Sequence, residues 1–233
     1  MNLKQTVFVA TLFLTLSAAA QKEIYLEEHD NKRLYFGISL GANRATFHAD
    51  LHTNFLDQDT VLTAVPQNTG GFNLGLSATA RLSERWAIRF NPQLVFLDRT
   101  IHYSLLYPDY DGYQIDKKVE SVITTFPLQV KFNSDRIGNF RVYMLGGGKF
   151  DIDLASNAQA RKAEDMIKIQ RFDYGIEAGF GFNFYHKSFI LSPEIKISNG
   201  LQNLHDRNPD LKYSRALDEI KSRMVMLTIH LEG

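Results

Sequence analysis

Three polar residues near the start of the chain have the spacing of a possible metal site. His48, Asp50 and His52 alternate along the segment HADLH, so an extended backbone would place their side chains on one face. Imidazole and carboxylate groups suit zinc or a similar metal, although the sequence offers no evident fourth ligand. The alternative is a solvated rim of polar side chains, and the sequence does not separate the two.

A second set of polar residues could support catalysis. His102, Ser104 and His205 fall in predicted loops, where barrel enzymes that modify lipids carry their His, Ser and acidic groups. Their spacing is not diagnostic, and the chain contains no nucleophile elbow, P-loop or dinucleotide fingerprint. We therefore predict no catalytic residue, no cofactor and no metal site, with a lipid-modifying enzyme as the alternative.

Composition excludes several functional classes. The 233 residues include no cysteine, which excludes disulfide scaffolds, thiolate metal sites and cysteine nucleophiles. Lys and Arg total 26, as do Asp and Glu, so the formal net charge is zero. That balance argues against a nucleic-acid partner. Aromatic residues are abundant, with 17 Phe, 10 Tyr and one Trp.

The first 20 residues have the pattern of a secretory signal peptide. Lys4 provides a positive start, residues 7–16 are apolar, and three alanines precede the expected cleavage after Ala20. The apolar run is too short to span a membrane as a helix. The sequence therefore predicts an exported chain, with residues 21–33 as a periplasmic N-terminal segment.

Apolar and polar residues alternate in eight segments of the mature chain. In residues 171–184, one face carries mainly Phe and other apolar groups, while the other carries charges, Asn and Gly. Successive side chains of a strand point to opposite faces, so each segment is a two-faced strand of membrane-crossing length. The segments are residues 34–42, 72–82, 86–96, 122–132, 140–154, 171–184, 189–198 and 225–231.

The connections between these strands alternate in length. The short ones surround residues 83–85, 133–138 and 185–187, and the long ones are roughly residues 48–69, 99–117, 155–169 and 202–221. Residues 158–166 and 214–222 within the long loops have helix-forming sequences. We predict an all-β, eight-stranded antiparallel transmembrane β-barrel over residues 34–233 in outer-membrane lipid, with long extracellular loops and short periplasmic turns. A soluble barrel is the alternative, and the glycine-rich polar face argues against it.

The two faces of the predicted barrel have different roles. Aromatic residues beside the short turns should form a girdle at the membrane surface: Trp86, Phe132, Phe140, Phe184, Tyr185 and Phe189. The charged residues of the other face should pair across a filled lumen, because eight strands leave little more room than side chains occupy. They are Arg81, Arg89, Lys131, Arg141, Lys149, Asp151, Asp153, Arg171, Asp173, Glu177, Glu194, Lys196 and Arg223. An ion or proton path is the alternative.

Several segments resemble the PorT family, called SprT in gliding bacteria. They are LYFGISLGANRATF at residues 34–47, WAIRFNPQLVFLDRTIHY at 86–103, TTFPLQVKFNSDRIGNFRVYMLGGGKFDIDL at 124–154 and LDEIKSRMVMLTIHLEG at 217–233. The resemblance implies a small outer-membrane β-barrel of the porin-like superfamily that is required for type IX secretion and for export of gliding-related surface proteins. It implies other secretion proteins as partners and no enzymatic activity. A generic adhesin or membrane-stabilising barrel is a further alternative.

Overall fold

The computed structural model describes residues 23–51, 61–109, 112–155, 169–205 and 217–233. These stretches contain a short 3-10 helix, Glu27–Asn31, and ten strands. None of their helices has the length and apolar character needed to cross a membrane. The predicted signal peptide and the segment 158–166 lie outside the described residues. The strands are β1 (Leu34–Leu51), β2 (Val61–Gln67), β3 (Thr69–Arg81), β4 (Trp86–Phe90), β5 (Gln93–Asp109), β6 (Gly112–Asn133), β7 (Phe140–Asp153), β8 (Phe172–Tyr185), β9 (Ile190–Gly200) and β10 (Leu217–Glu232).

The sheet closes on itself, since β1 pairs antiparallel with β10 on one side and with β3 on the other. The ten strands form eight barrel strands, because two of these are interrupted. Asn68 divides one of them into β2 and β3, and Asn91 and Pro92 divide the other into β4 and β5. Proline has no N–H to donate. The Pro92 carbonyl nevertheless accepts a hydrogen bond from the Leu76 N–H at 3.0 Å, which holds β3 against the interruption. The described strands thus confirm the predicted eight-stranded antiparallel architecture.

Short connections join the strands at one end of the barrel, as predicted, at residues 82–85, 134–139 and 186–189. We call this the turn end and the opposite one the loop end. Strands extend much further at the loop end than the sequence predicts. Residues 99–117 were expected to form a loop, but β5 continues to Asp109 and β6 begins at Gly112. The prediction of helix for residues 214–222 is also wrong from Leu217 onwards, where β10 begins.

An apolar band covers the outside of the barrel. Along β8 the exposed residues alternate with buried ones, so that Phe180 is 49% exposed whereas Glu177 is 5% exposed. The outward apolar residues run from Phe172 to Phe184, which at about 3.3 Å per residue and a tilt of about 40° spans about 30 Å. Apolar side chains face outward and mostly polar ones inward, which is the reverse of a soluble barrel and confirms the predicted arrangement. The inward residues also include a buried apolar cluster of Ala45, Val95, Leu97, Ile123, Met224 and Met226.

Beyond the band, the loop end has the opposite polarity. Its interior holds a buried apolar cluster: Phe47, Val61, Ala64, Ile101, Tyr103, Leu105, Ile115, Leu204 and Ile220. Its outer face carries polar pairs, with His102 Nδ1 2.6 Å from Asp116 Oδ1 and Lys118 Nζ 2.9 Å from Asp98 Oδ2. An apolar interior stabilises strands in water, and this explains why the β5–β6 hairpin continues where a loop was predicted.

Candidate functional site

A network of buried ionic groups fills the lumen near the turn end. The guanidinium of Arg89, from β4, donates to Glu194 Oε2 at 2.8 Å and to Glu232 Oε1 at 2.9 Å. The Tyr143 hydroxyl also donates to Glu194 Oε2 at 2.8 Å, and Lys131 Nζ lies 3.7 Å from the centre of the Tyr143 ring. All five side chains are buried, and their contacts connect five strands, β4, β6, β7, β9 and β10. Arg89 and Tyr143 thus donate to buried carboxylates, whereas Lys131 Nζ has no hydrogen-bond acceptor among the described residues and lies against the Tyr143 ring.

His230 and a second ion pair extend this network along the lumen. His230 Nε2 lies 3.5 Å from Glu194 Oε2. Further towards the loop end, Lys196 Nζ lies 3.1 Å from Glu177 Oε2, and Gln129 donates to Glu177. Gly147 pairs with both Gln129 and Glu177, and a Cβ there would lie 2.1 Å from the Leu128 carbonyl oxygen. A glycine is required because the wall has no space for a side chain, as the sequence predicted for this polar face.

A small polar cleft of about 10 Å³ lies where the lumen meets the loop end. Arg99 lines it and donates to the Ser121 hydroxyl at 2.8 Å, while its Nη2 lies 3.6 Å from Asp153 Oδ2. Asp151 lines it too and pairs with Lys149 at 2.5 Å. Each of the two cations thus has a carboxylate neighbour, and the apolar cluster lies beyond them.

The N-terminal segment closes the turn end. Asp30, from the 3-10 helix, lies within salt-bridge distance of three arginines. Its carboxylate is 2.9 Å from Arg136 Nη1, 3.3 Å from Arg141 Nη1 and 3.7 Å from Arg81 Nη2. Arg136 also donates to the carbonyl of Tyr25. These contacts fix residues 23–31, which we call the plug, against the barrel rim.

His29 is the buried member of the plug. It is 2% exposed, and its ring lies edge-on to Tyr35 with 4.6 Å between ring centres. Burial lowers the pKa of His29 from 6.5 to about 4, and the nearby charges of Lys32 and Arg81 act in the same direction. At neutral pH the plug therefore inserts an uncharged imidazole into the barrel mouth.

Most of the predicted lumen charges do face inward. Nine are buried, namely Arg89, Lys131, Lys149, Asp151, Asp153, Asp173, Glu177, Glu194 and Lys196. Arg81 and Arg141 are partly buried at the turn end, where they hold the plug. Arg171 and Arg223 are exposed, so the prediction that they face the lumen is wrong. Arg171 precedes β8, and Arg223 shares the outward face with Val225. Sequence reasoning missed Arg99, His230 and Glu232.

The predicted aromatic girdle is present apart from one member. Trp86 and Phe132 are exposed neighbours with 4.8 Å between ring centres, and Phe140 packs against Phe184 at 5.3 Å. Phe189 is also exposed. Tyr185 is 3% exposed because it follows an outward residue and so points inward, where the Arg136 guanidinium lies 3.7 Å from its ring centre.

The residues that could do chemistry are distributed over different faces. His48 is exposed on β1, whereas His205 is buried. His102 and Ser104 lie on β5 and not in a loop. Asp50 lies on β1 and His52 lies outside the described residues. Within the described ranges, no three His, Cys, Asp or Glu side chains are grouped so as to hold a metal ion.

Comparison with solved structures finds small outer-membrane proteins at low similarity. Ail of Yersinia pestis, solved with the heparin analogue sucrose octasulfate, is 16% identical with a TM-score of 0.39, covering 87% of this chain and 100% of that one. OprG of Pseudomonas aeruginosa is 16% identical with a TM-score of 0.41, covering 84% and 93%. Neisserial surface protein A is 10% identical with a TM-score of 0.40, covering 84% and 95%. No curated protein matches the sequence.

The family comparison covers most of the chain. The family model described as outer membrane protein beta-barrel domain matches residues 19–206 of the 233. It agrees with the closed antiparallel sheet, the outward apolar band and the polar lumen. The chain therefore belongs to the outer membrane protein beta-barrel domain family and is an outer-membrane protein.

Proposed function

We propose that this chain is a non-enzymatic outer-membrane barrel that supports type IX protein secretion as an assembly or accessory component. The structural support for this proposal is that side chains fill the lumen of the barrel. Arg89 contacts two carboxylates across it, and the plug is tied to three arginines at the turn end. The link to type IX secretion comes from the resemblance of the strand segments to the PorT family.

A closed lumen favours an accessory role over transport. An eight-stranded barrel is just wide enough for side chains to fill, whereas porins with an aqueous channel have about 16 strands. Here the inward side chains meet across that narrow space, with Lys131, Tyr143 and His230 all buried. Contacts with other proteins are then left to the outer surfaces, which are the short turns, the plug and the polar extension of the β5–β6 hairpin.

A lipid-modifying enzyme is less well supported. Such an enzyme would gather a base and a nucleophile near the outer leaflet. The described candidates instead lie apart, since His102 is engaged with Asp116 on the outside and His205 is buried. We accordingly place no residue of this chain in a catalytic role.

Deletion of the gene, followed by proteomics of the culture fluid, periplasm and outer membrane, tests the proposal. We expect type IX cargo to accumulate in the periplasm while other barrels keep their abundance, and the wild-type gene to restore export. Normal cargo export in the deletion strain would refute the secretion role. Mass spectrometry of lipid A from the same strain tests the enzymatic alternative, which predicts a changed lipid.

Partner contacts can be assigned to one end of the barrel by complementation. Arg85→Ala removes an exposed ion pair with Asp135 at the turn end, and Lys118→Ala removes one with Asp98 at the loop end. Both pairs are exposed, so neither variant should prevent folding. A secretion defect confined to one variant would identify the end that the other components contact.

A further inference from the structure

Two unpaired arginines lie on the outside of the barrel at the upper limit of the apolar band. The outward residues of β1 are apolar from Leu34 to Ala42, and the next outward residue is Arg44. On the neighbouring β10, the outward apolar residues end at Val225, and the next is Arg223. From Leu34 to Arg44 the rise is about 25 Å, the height of the apolar band of an outer-membrane barrel.

The strand register brings the two arginines together. Arg44 is opposite Val225, and Arg223 is opposite Thr46, so the arginines are diagonal neighbours on one face. Such positions are about 7–8 Å apart, close enough for both side chains to reach one small anion. Both are exposed, and neither has a carboxylate partner among the residues that the structure describes. By contrast, Lys118 and Lys221 on the same outer surface are paired with Asp98 and Glu219.

The surroundings orient one arginine and leave space beside the other. Arg223 Nε donates to Asn199 Oδ1 at 3.3 Å, which leaves its two terminal nitrogens free to donate. Arg44 is opposite Gly70 on its other side, and a Cβ at Gly70 would meet nothing within 4 Å. The pair is thus open to a ligand from the membrane side and from the β3 side.

We propose that Arg44 and Arg223 bind a phosphate group of an outer-leaflet glycolipid. A lipid whose acyl chains lie against Ala42, Val225 and Leu227 would carry its headgroup to this height. The outer leaflet of outer membranes consists largely of phosphorylated glycolipid, and guanidinium groups bind phosphate through paired hydrogen bonds. The phosphate would neutralise two positive charges that the described residues leave uncompensated.

Calorimetric titration of the refolded full mature chain in detergent tests this proposal. The probes are phosphorylated lipid A, the same lipid after removal of its phosphates, and inorganic phosphate. The variants are Arg44→Gln, Arg223→Gln and their combination. Arg85→Gln is the matched control, because it removes the same charge at the turn end. Heat-modifiable migration on a gel establishes that each variant is folded.

We expect phosphorylated lipid A to bind, each single variant to weaken binding about 10-fold, and the control to bind like the wild type. The dephosphorylated lipid should bind at least about 10-fold more weakly. Equal binding by the double variant or by the dephosphorylated lipid would overturn the proposal. Inorganic phosphate binding as tightly as lipid A would also overturn the lipid assignment and identify a free anion as the ligand.

A variant at Gly70 tests the same site without altering an arginine. Gly70→Glu places a carboxylate opposite Arg44 at a position with open space, so folding should be unaffected. The added carboxylate should compete with phosphate and weaken lipid A binding about 10-fold. Unchanged binding by a folded Gly70→Glu protein would contradict the placement of the phosphate beside Arg44.

Discussion

Replacing Arg89 with Ala tests whether the lumen network determines the stability of the barrel. The Arg89 side chain is fully buried and contacts Glu194 and Glu232 at 2.8 and 2.9 Å. Its removal leaves two carboxylates in a closed space, with Lys131 3.9 Å from Glu232 as the nearest remaining ammonium. Removing one partner of a buried ion pair costs about 3–5 kcal/mol, so we expect a loss of that size in the free energy of unfolding.

The measurement is equilibrium urea unfolding of the full mature chain in lipid vesicles. Arg85→Ala provides the control, since the Arg85–Asp135 pair is largely exposed and should contribute less than about 1 kcal/mol. Adding Glu232→Gln to Arg89→Ala should restore part of the lost stability, because it removes one of the two uncompensated charges. If Arg89→Ala costs no more than Arg85→Ala, the lumen pairs do not hold the barrel together and our account of the interior is wrong.

Two further predictions concern the outer face and the plug. Phe180→Arg, near the middle of the apolar band, should lower the free energy of unfolding in vesicles by about 2–4 kcal/mol. Tyr174→Arg, near the loop end, should lower it by about 1 kcal/mol or less. Equal losses would contradict the depths assigned to these two residues. Acidification should loosen the plug, because the folded pKa of His29 is about 4 while the free value is 6.5, so the released segment takes up the proton first. The stabilisation is complete above about pH 6.5 and is lost as the pH falls towards 4. The protection of the amides of residues 23–31, measured relative to their intrinsic exchange rate at each pH, should fall as the pH falls over that range. His29→Gln should remove this pH dependence, and constant protection in the wild type would refute the prediction.

Strand alternation predicts the barrel because it depends only on neighbouring residues. The opposite environments of Phe180 and Glu177 follow from their positions in one segment. The same rule places His230 and Glu232 inward, because they alternate with outward Leu231. It also places Arg223 outward, in phase with Val225. The alternation along the last strand is therefore sufficient to predict all three positions.

The plug and the loop end could not be predicted in this way. Asp30 meets Arg81, Arg136 and Arg141, which are 51 to 111 residues away in sequence, and no local pattern reports such contacts. At the loop end the alternation continues, but the inward residues Val95, Leu97 and Ile101 are apolar, whereas the outward ones are polar from Asp98 to Ser104. A search for outward apolar residues therefore ends the strand at Phe96 and predicts a loop from residue 99, where a hairpin extends.

The change of polarity between the band and the loop end also fixes how deep the barrel sits in the membrane. If the whole barrel moved towards the periplasm by the length of two residues, every side chain would still face the same side, the lumen or the exterior. It would nevertheless carry Arg44, Asp98 and Arg223 into hydrocarbon and expose the aromatic girdle to water. The depth of the barrel in the membrane is therefore set by the outward charges at one limit of the apolar band and by Trp86 and its aromatic neighbours at the other. A bilayer whose hydrocarbon thickness differs from the distance between these two limits would have to thicken or thin locally around the protein.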